Sequence, residues 1–360
     1  MSRQINLIQA LRGLSIVLVI LYHSSFIFHG GFIGVDVFFV ISGFLITRSI
    51  CTSLDEQQHG LELLRNFYKR RILRLFPALS VTILGTSLLS MLFFSPYGEI
   101  RQILTSAIAG ALFFANGRFY LLNDYTSLTS DPFRHLWSLG VEEQFYLVFP
   151  FFILGIVRVT KKSKLQEVLL LCSLLVVAVA FTLSLFLSYG FRLLPLPERF
   201  AFYSPLTRTW QIGIGVLIGL TSEKLVTARG DSRLWVFPAV FGLGLILYSS
   251  FSLNQYVNYP GLWGGLPTLG AGIIIVAALK SVRLGAMRFS ILSHFGDISY
   301  SLYLIHWPLL VILQRAFDDT ALVSLLSIPI AYTLARLQFL LVERPMLARG
   351  ADVKVGKDVA

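Results

Sequence analysis

The stretch LRGLSIVLVILYHSSF, residues 11–26, decides how the rest of the chain is read. It is apolar enough to lie in a bilayer, where about 20 such residues make one crossing. It also carries Arg12 and His23. Eleven positions separate them, a rise of about 16.5 Å on a helix and only about 20° beyond three full turns. Both side chains therefore leave one face at different depths. Ionisable residues inside a span cost several kcal/mol and usually line a cavity or a substrate path. The plain alternatives are an Arg12 that snorkels to the inner interface and a His23 satisfied at the outer one.

The whole chain repeats this apolar pattern. Its 360 residues are 55% hydrophobic and 14% charged, against about 25% charged in soluble domains. That excludes a soluble globular fold and points to an all-α, polytopic transmembrane bundle. Arg3 followed by an apolar stretch imitates a signal peptide, but no small-residue cleavage site follows, so a retained first span is expected. Cys51 and Cys172 make no disulfide framework. Neither has a nearby base in sequence, so neither is expected to act as a nucleophile.

Ten spans are expected, at roughly 7–28, 33–49, 74–95, 143–158, 166–188, 205–221, 234–252, 262–279, 292–313 and 320–342. The 14-residue stretch ILTSAIAGALFFAN at 103–116 is too short to cross and reads as re-entrant or interfacial. Charge supports this division. With the N-terminus inside, the inner segments and span ends hold 21 of the 30 Lys and Arg residues, as inner loops should. A crossing at 103–116 would move fourteen of those 21 outside. Both termini are therefore placed in the cytoplasm, and the net charge of +11 reports topology rather than a nucleic-acid partner. The expected organisation is one transmembrane domain, 1–346, and a short cytoplasmic tail, 347–360, with no soluble domain attached.

Polar motifs interrupt the spans. Gly30 and Gly31 allow a tight turn. An antiparallel second span would then put Asp36 near the depth of His23. A carboxylate there can fix the imidazole tautomer; alternatively, Asp36 simply favours a helix N-terminus. Ser42 and Gly43 read first as packing residues. Arg65, Lys69, Arg70, Arg71 and Arg74 precede the third span. Arg70 and Arg74 are neighbours on one helical face, suited to phosphate oxygens or to topology and lipid headgroups. The segment DPFRHLWSLGVEEQFYLVFP, 131–150, gathers Arg134, His135, Trp137, Ser138, Glu142, Glu143, Gln144 and Tyr146. It is either an interfacial aromatic cap or the wall of a site. Adjacent carboxylates cannot share one helical face, so one of Glu142 and Glu143 is expected toward a cavity and the other toward a helix N-terminus. In ISYSLYLIHWPLL, 298–310, Tyr303 and His306 share a face. For His306 packing is the plain alternative.

The motifs LRGLSIVLVILYH, GVDVFFVISGFLIT, RRILRLFPA, HLWSLGVEEQFYLVFP, ISYSLYLIHWP and VERP together resemble the membrane-bound acyltransferase 3 family, over about residues 5–346. The resemblance implies ten spans and transfer of an acyl group from cytoplasmic acyl-CoA to an extracytoplasmic hydroxyl. Acetyl is the family's usual acyl group. Its acceptors include surface polysaccharides, peptidoglycan and lipid-linked sugars. The family's arginine–histidine motif falls on Arg12 and His23, and its inner-loop arginine pair on Arg70 and Arg74. Larger relatives append an extracytoplasmic hydrolase-like domain, and none is expected here.

On that resemblance Arg12, Arg70 and Arg74 are expected to bind acyl-CoA, with the thioester near His23. His23, oriented by Asp36, would act as general base, although an acyl-histidine fits the same residues. Glu142 and Glu143 are further catalytic candidates. Arg134, His135, Trp137, Ser138, Tyr146, Tyr303 and His306 are expected along the acceptor path. No metal is expected. The expected partners are the bilayer, acyl-CoA and a glycan or lipid-linked sugar, at a bacterial inner membrane. A transporter or flippase is the competing class; it would show inverted repeats, which the sequence does not.

Overall fold

The computed structural model describes residues 2–24, 28–56, 60–122, 131–191, 195–227, 234–254, 258–281, 284, 289–318 and 320–351. Every regular element among them is helical. That follows from the apolar composition, because a segment in lipid must satisfy its backbone hydrogen bonds internally. In chain order the α-helices are α1 (Ser2–Ser24), α2 (Gly34–Asp55), α3 (Gly60–Phe93), α4 (Glu99–Ala111), α5 (Ala115–Leu121), α6 (Leu136–Val159), α7 (Leu165–Ser188), α8 (Pro197–Tyr203), α9 (Pro205–Thr227), α10 (Val236–Ser252), α11 (Gly265–Lys280), α12 (Ser290–Asp297), α13 (Ser299–Phe317), α14 (Ala321–Gln338) and α15 (Arg344–Ala351). A π-helical turn, Phe339–Glu343, joins the last two.

Each of the ten expected spans overlaps a helix, but six helical segments are long and apolar enough to cross a membrane. They become seven if α12 and α13, bent by 72°, count as one. Two of the remaining three, α10 and α11, are short, at 17 and 16 residues. The third, α9, has 23 residues but is diluted by Arg208 and Gln211, both of which it buries. The expected inner loop 50–73 is largely helix: α3 starts at Gly60 and carries the arginine cluster on its own shaft. The 103–116 stretch falls on α4 and α5. Thirteen residues make α4 only about 20 Å long, and the chain turns at Phe113, whose φ is 55°.

The centre is α2, which packs on α1, α6, α9 and α11. Two glycines let α2 and α9 touch at the backbone. A Cβ on Gly43 would lie 1.9 Å from Ile212 O, and one on Gly215 would lie 2.0 Å from Val40 O. Gly13 and Gly296 close α1 onto α12 in the same way. The lipid-side elements show the opposite pattern: α7 exposes Leu171, Leu174 and Leu175, and α14 exposes Leu322, Leu325 and Leu326.

At the C-terminal end, α15 runs through the expected 346/347 boundary. Residues 123–130 of the expected outer segment and 352–360 of the expected tail lie outside the described residues. So do Arg229, Arg233, Arg283, Arg288, Lys354 and Lys357, six of the cations expected on the inner side.

Candidate active site

Five helices and the π turn deliver polar and charged groups to a cluster at one end of the site. Arg71 on α3 donates from Nη2 to Glu143 Oε1 at 2.8 Å and lies 3.6 Å from Glu142 Oε1. Its guanidinium sits 3.3 Å from the centre of the Tyr146 ring, a cation–π contact. Glu142 also accepts from Ser42 Oγ and from Tyr146 OH. The adjacent carboxylates are therefore not divided between a cavity and a helix terminus: a single nitrogen of Arg71, Nη2, faces both. Ser42 is likewise more than a packing residue. Glu343 is 3% exposed and accepts from Ser301 Oγ at 2.7 Å. Arg12 and Arg74 both act on it electrostatically. Arg12 donates to Gln9 Oε1 at 3.2 Å. Arg70 faces another way: its charge partner is Glu56, and its Nη1 is buried without a hydrogen bond.

The other end of the site is built from rings. His23 Nδ1 is 3.3 Å from His306 Nε2, and its ring centre is 4.6 Å from that of Trp307. His135, buried at the entry of α6, has its ring 5.8 Å from that of His306. Trp307 Nε1 donates to Asp131 O at 2.9 Å. The Asp131 carboxyl accepts from Ser106 Oγ at 2.5 Å and from Phe133 N at 2.8 Å. Arg118 Nε donates to the same Ser106 hydroxyl at 2.7 Å. Burial raises the Asp131 pKa to about 6 against these stabilising partners. Arg134, next in the turn, acts electrostatically on both Asp131 and His23.

Between the two ends, Tyr303 OH donates to His135 O at 2.6 Å and lies 2.6 Å from Ser138 Oγ. The Tyr303 hydroxyl also feels the Glu142 charge. Polar groups thus run from Arg71 through Glu142, Tyr303 and Ser138 to His306 and His23.

Asp36 stands apart. Sequence reasoning places it beside His23, whereas its carboxylate is bound by Arg208 Nη1 at 3.0 Å, by Gln211 and by Tyr259 OH. The Gly43–Gly215 approach of α2 to α9 brings these groups within reach and presents α2's third residue to α9 instead of α1. Trp137 belongs to this side too. Its ring is 4.6 Å from that of Phe202 and 5.3 Å from the Arg208 guanidinium. The expected acceptor-path residues therefore divide. His135, Ser138, Tyr303 and His306 gather near His23, Tyr146 joins the Arg71 cluster, and Trp137 packs against the Arg208 network.

Sequence reasoning passed over Glu343, Trp307, Arg208, Gln211 and Tyr259. The motif VERP contains Glu343 and ISYSLYLIHWP contains Trp307, so a signal existed for both. The other three are solitary polar residues without a local pattern. An apolar recess of about 650 Å³ between α9, α10 and α11 has Ile214, Phe241 and Ile273 in its wall; it is remote from this chemistry. Among the described residues no three His, Cys, Asp or Glu side chains are grouped to hold a metal ion.

Helices, burial and the charged axis together define a multi-pass integral membrane protein with buried acid–base groups. The chain belongs to the acyltransferase 3 family, whose model, described as an acyltransferase domain, matches residues 5–338. Its relatives include the peptidoglycan O-acetyltransferase OatA of Listeria monocytogenes, 29% identical over 95% of this chain and 56% of the relative. The O-acetyltransferase OatA of Staphylococcus aureus is 27% identical over 95% of this chain and 57% of the relative. The Komagataeibacter xylinus protein BcsY, provisionally named a membrane-bound transacylase, is 32% identical over 85% of this chain and 72% of its own length. The chain thus spans little more than half of the OatA relatives. No solved structure matches the chain.

Proposed function

We propose that the chain is an integral-membrane O-acyltransferase. It moves an acyl group, acetyl by analogy with its relatives, from cytoplasmic acyl-CoA to a hydroxyl of an extracytoplasmic glycan. Peptidoglycan is the first acceptor to try, because the Listeria monocytogenes relative carries it in its name. The carrying observation is the polar axis from Arg71, Arg74 and Arg12 to His23. The reading includes ten spans with both termini cytoplasmic, in which α9, α10 and α11 complete the crossings.

In this mechanism Arg12 and Arg74 bind the donor's phosphates, and Arg71 with Glu142 and Glu143 holds their wall in place. The pantetheine arm rises past Ser138 and Tyr303, whose hydroxyls are placed to hydrogen-bond it or the acceptor. The thioester reaches His23. The acceptor hydroxyl oxygen attacks the thioester carbon and the C–S bond breaks. His23 takes the hydroxyl proton and returns it to the thiolate, releasing CoA as the free thiol. His135 and Arg134 flank the acceptor side.

The test is acyl-CoA turnover by purified protein in nanodiscs, with peptidoglycan fragments and other glycans as acceptors. Wild type and His23→Ala are compared. Loss of CoA release and of ester product in His23→Ala, with folding intact, supports the reading. Normal turnover by His23→Ala removes His23 from the chemistry and sinks the mechanism.

A further inference from the structure

His306 carries two hydrogen bonds that settle where its proton is. Its Nδ1 is 2.8 Å from Tyr303 O and 3.2 Å from Leu302 O. Backbone carbonyls only accept, and a neutral imidazole has one N–H. The hydrogen therefore sits on Nδ1, and Nε2 keeps a lone pair. That lone pair faces His23 Nδ1 at 3.3 Å. Only a donor can face a lone pair, so His23 carries its own hydrogen on Nδ1. Its Nε2 is then the free base.

We propose that His306 is a positioning residue: it holds His23 in the Nδ1–H tautomer and so makes Nε2 the nitrogen that accepts the acceptor hydroxyl's proton. This rests on the O-acyltransfer reading above. It also gives His306 a different task from the acceptor contact expected of it. The helix supplies the geometry. Leu302 and Tyr303 precede His306 by four and three positions on α13, so their carbonyls lie directly beneath its ring. The next residue, Trp307, closes the second side of His23 at a ring distance of 4.6 Å. Trp307 is itself tied to Asp131 O. Bond and ring together leave His23 little rotational freedom.

The orienting group is a neutral imidazole, not a carboxylate. Asp36, the carboxylate expected in this role, is occupied by Arg208, Gln211 and Tyr259. Among the described residues, the groups that face His23 are His306 and Trp307 from α13, Tyr22 from α1, and His135 and Arg134 from the approach to α6. None of these is an anion. When Nε2 takes a proton, the Nδ1–H bond to His306 becomes charge-assisted. Among the described residues no carboxylate hydrogen-bonds to or pairs with His23, so the imidazolium's proton passes readily to the leaving thiolate.

The experiment is nitrogen NMR of histidine-labelled protein in nanodiscs, with the His23 signals assigned by difference against His23→Gln. The expected wild-type spectrum shows His23 with a protonated Nδ1 and a bare Nε2. In His306→Leu the tautomer becomes mixed or reverses. Its kcat falls by about 100-fold or more, while KM for acetyl-CoA stays within about twofold of wild type. His306→Gln offers its amide oxygen to the same Nδ1–H, so it restores the tautomer and much of kcat. Thermal melts check that each variant is folded, and the wild-type spectrum decides the question if His306→Leu does not fold. A wild-type His23 protonated on Nε2, or a folded His306→Leu with unchanged tautomer and kcat, overturns the proposal. Either result leaves the O-acyltransfer reading standing as long as His23→Ala is inactive. Activity of His23→Ala overturns that reading instead.

Discussion

Asp36 and Arg208 form an ion pair at 3.0 Å in which each side chain is 1% exposed. Trp137, Phe202 and Tyr259 place their rings within 5.3 Å of the same guanidinium. Removing one partner leaves a buried charge without compensation, at a cost of about 3–5 kcal/mol. Asp36→Ala and Arg208→Ala are therefore expected to lower the melting temperature sharply, and activity should fall only with the folded fraction. His23→Ala should do the reverse, losing turnover at an unchanged melting temperature. A stable but inactive Asp36→Ala would return Asp36 to the chemistry.

Two glycine substitutions have opposite expected signs. At Gly43 an added Cβ lies 1.9 Å from Ile212 O, and backbone on both sides cannot yield cheaply. Gly43→Ala should cost about 3 kcal/mol and separate α2 from α9. At Gly85, within α3, nothing lies within 4 Å of an added Cβ. Gly85→Ala should instead stabilise by up to about 1 kcal/mol through helix propensity. Melting in one detergent compares the two, and equal effects would contradict the packing described here.

Arg74 and Arg70 were paired by spacing, but they meet different surroundings. Arg74 shares its site with Arg12 and Glu343, whereas Arg70 answers to Glu56. Arg74→Ala should remove about 1.5–3 kcal/mol of charged hydrogen bonding, or roughly 10- to 100-fold in CoA affinity. Arg70→Ala should change it by less than about threefold. Calorimetric titration of CoA into nanodiscs reads both. A larger loss for Arg70→Ala would reverse the assignment.

Asp131 gives a pH dependence with a definite sign. Burial raises its pKa from 3.8 to about 6, opposed by Ser106, Phe133 N, Arg118 and Arg134. The folded protein therefore holds this proton more tightly than the unfolded chain. The group's contribution to stability is complete below about pH 3.8 and is lost as pH rises through about 6. Asp131→Asn removes the titration. The melting temperature of wild type minus that of Asp131→Asn should fall between about pH 4 and pH 7. A constant difference across that range would mean the carboxyl does not titrate there.

Much of this architecture was readable without coordinates. The apolar runs and the scarcity of charge mark a helical membrane bundle, because lipid permits few alternatives. Span counting was less direct. Helix α9 looks like an ordinary crossing until Arg208 and Gln211 are seen to be satisfied by Asp36. The charged site divided in the same manner. Arg12 and His23 announce themselves as ionisable groups in an apolar run, and Glu142 and Glu143 as acids at the head of another. Arg71 did not stand out from four neighbouring cations, because spacing on one helix cannot show which of them faces a carboxylate on another.

The sequence by itself determined the helical membrane class, the family and the cast of ionisable residues, since each follows from local composition, periodicity or motif. Partnership was decided only by the tertiary structure. Asp36 went to Arg208 instead of His23 because Gly43 and Gly215 let α2 and α9 close together. His306 came to His23 because α1 and α13, nearly three hundred residues apart in the chain, share one buried face. Hydrogen bonds act over about 3 Å, and no one-dimensional pattern records which distant helices will come that near.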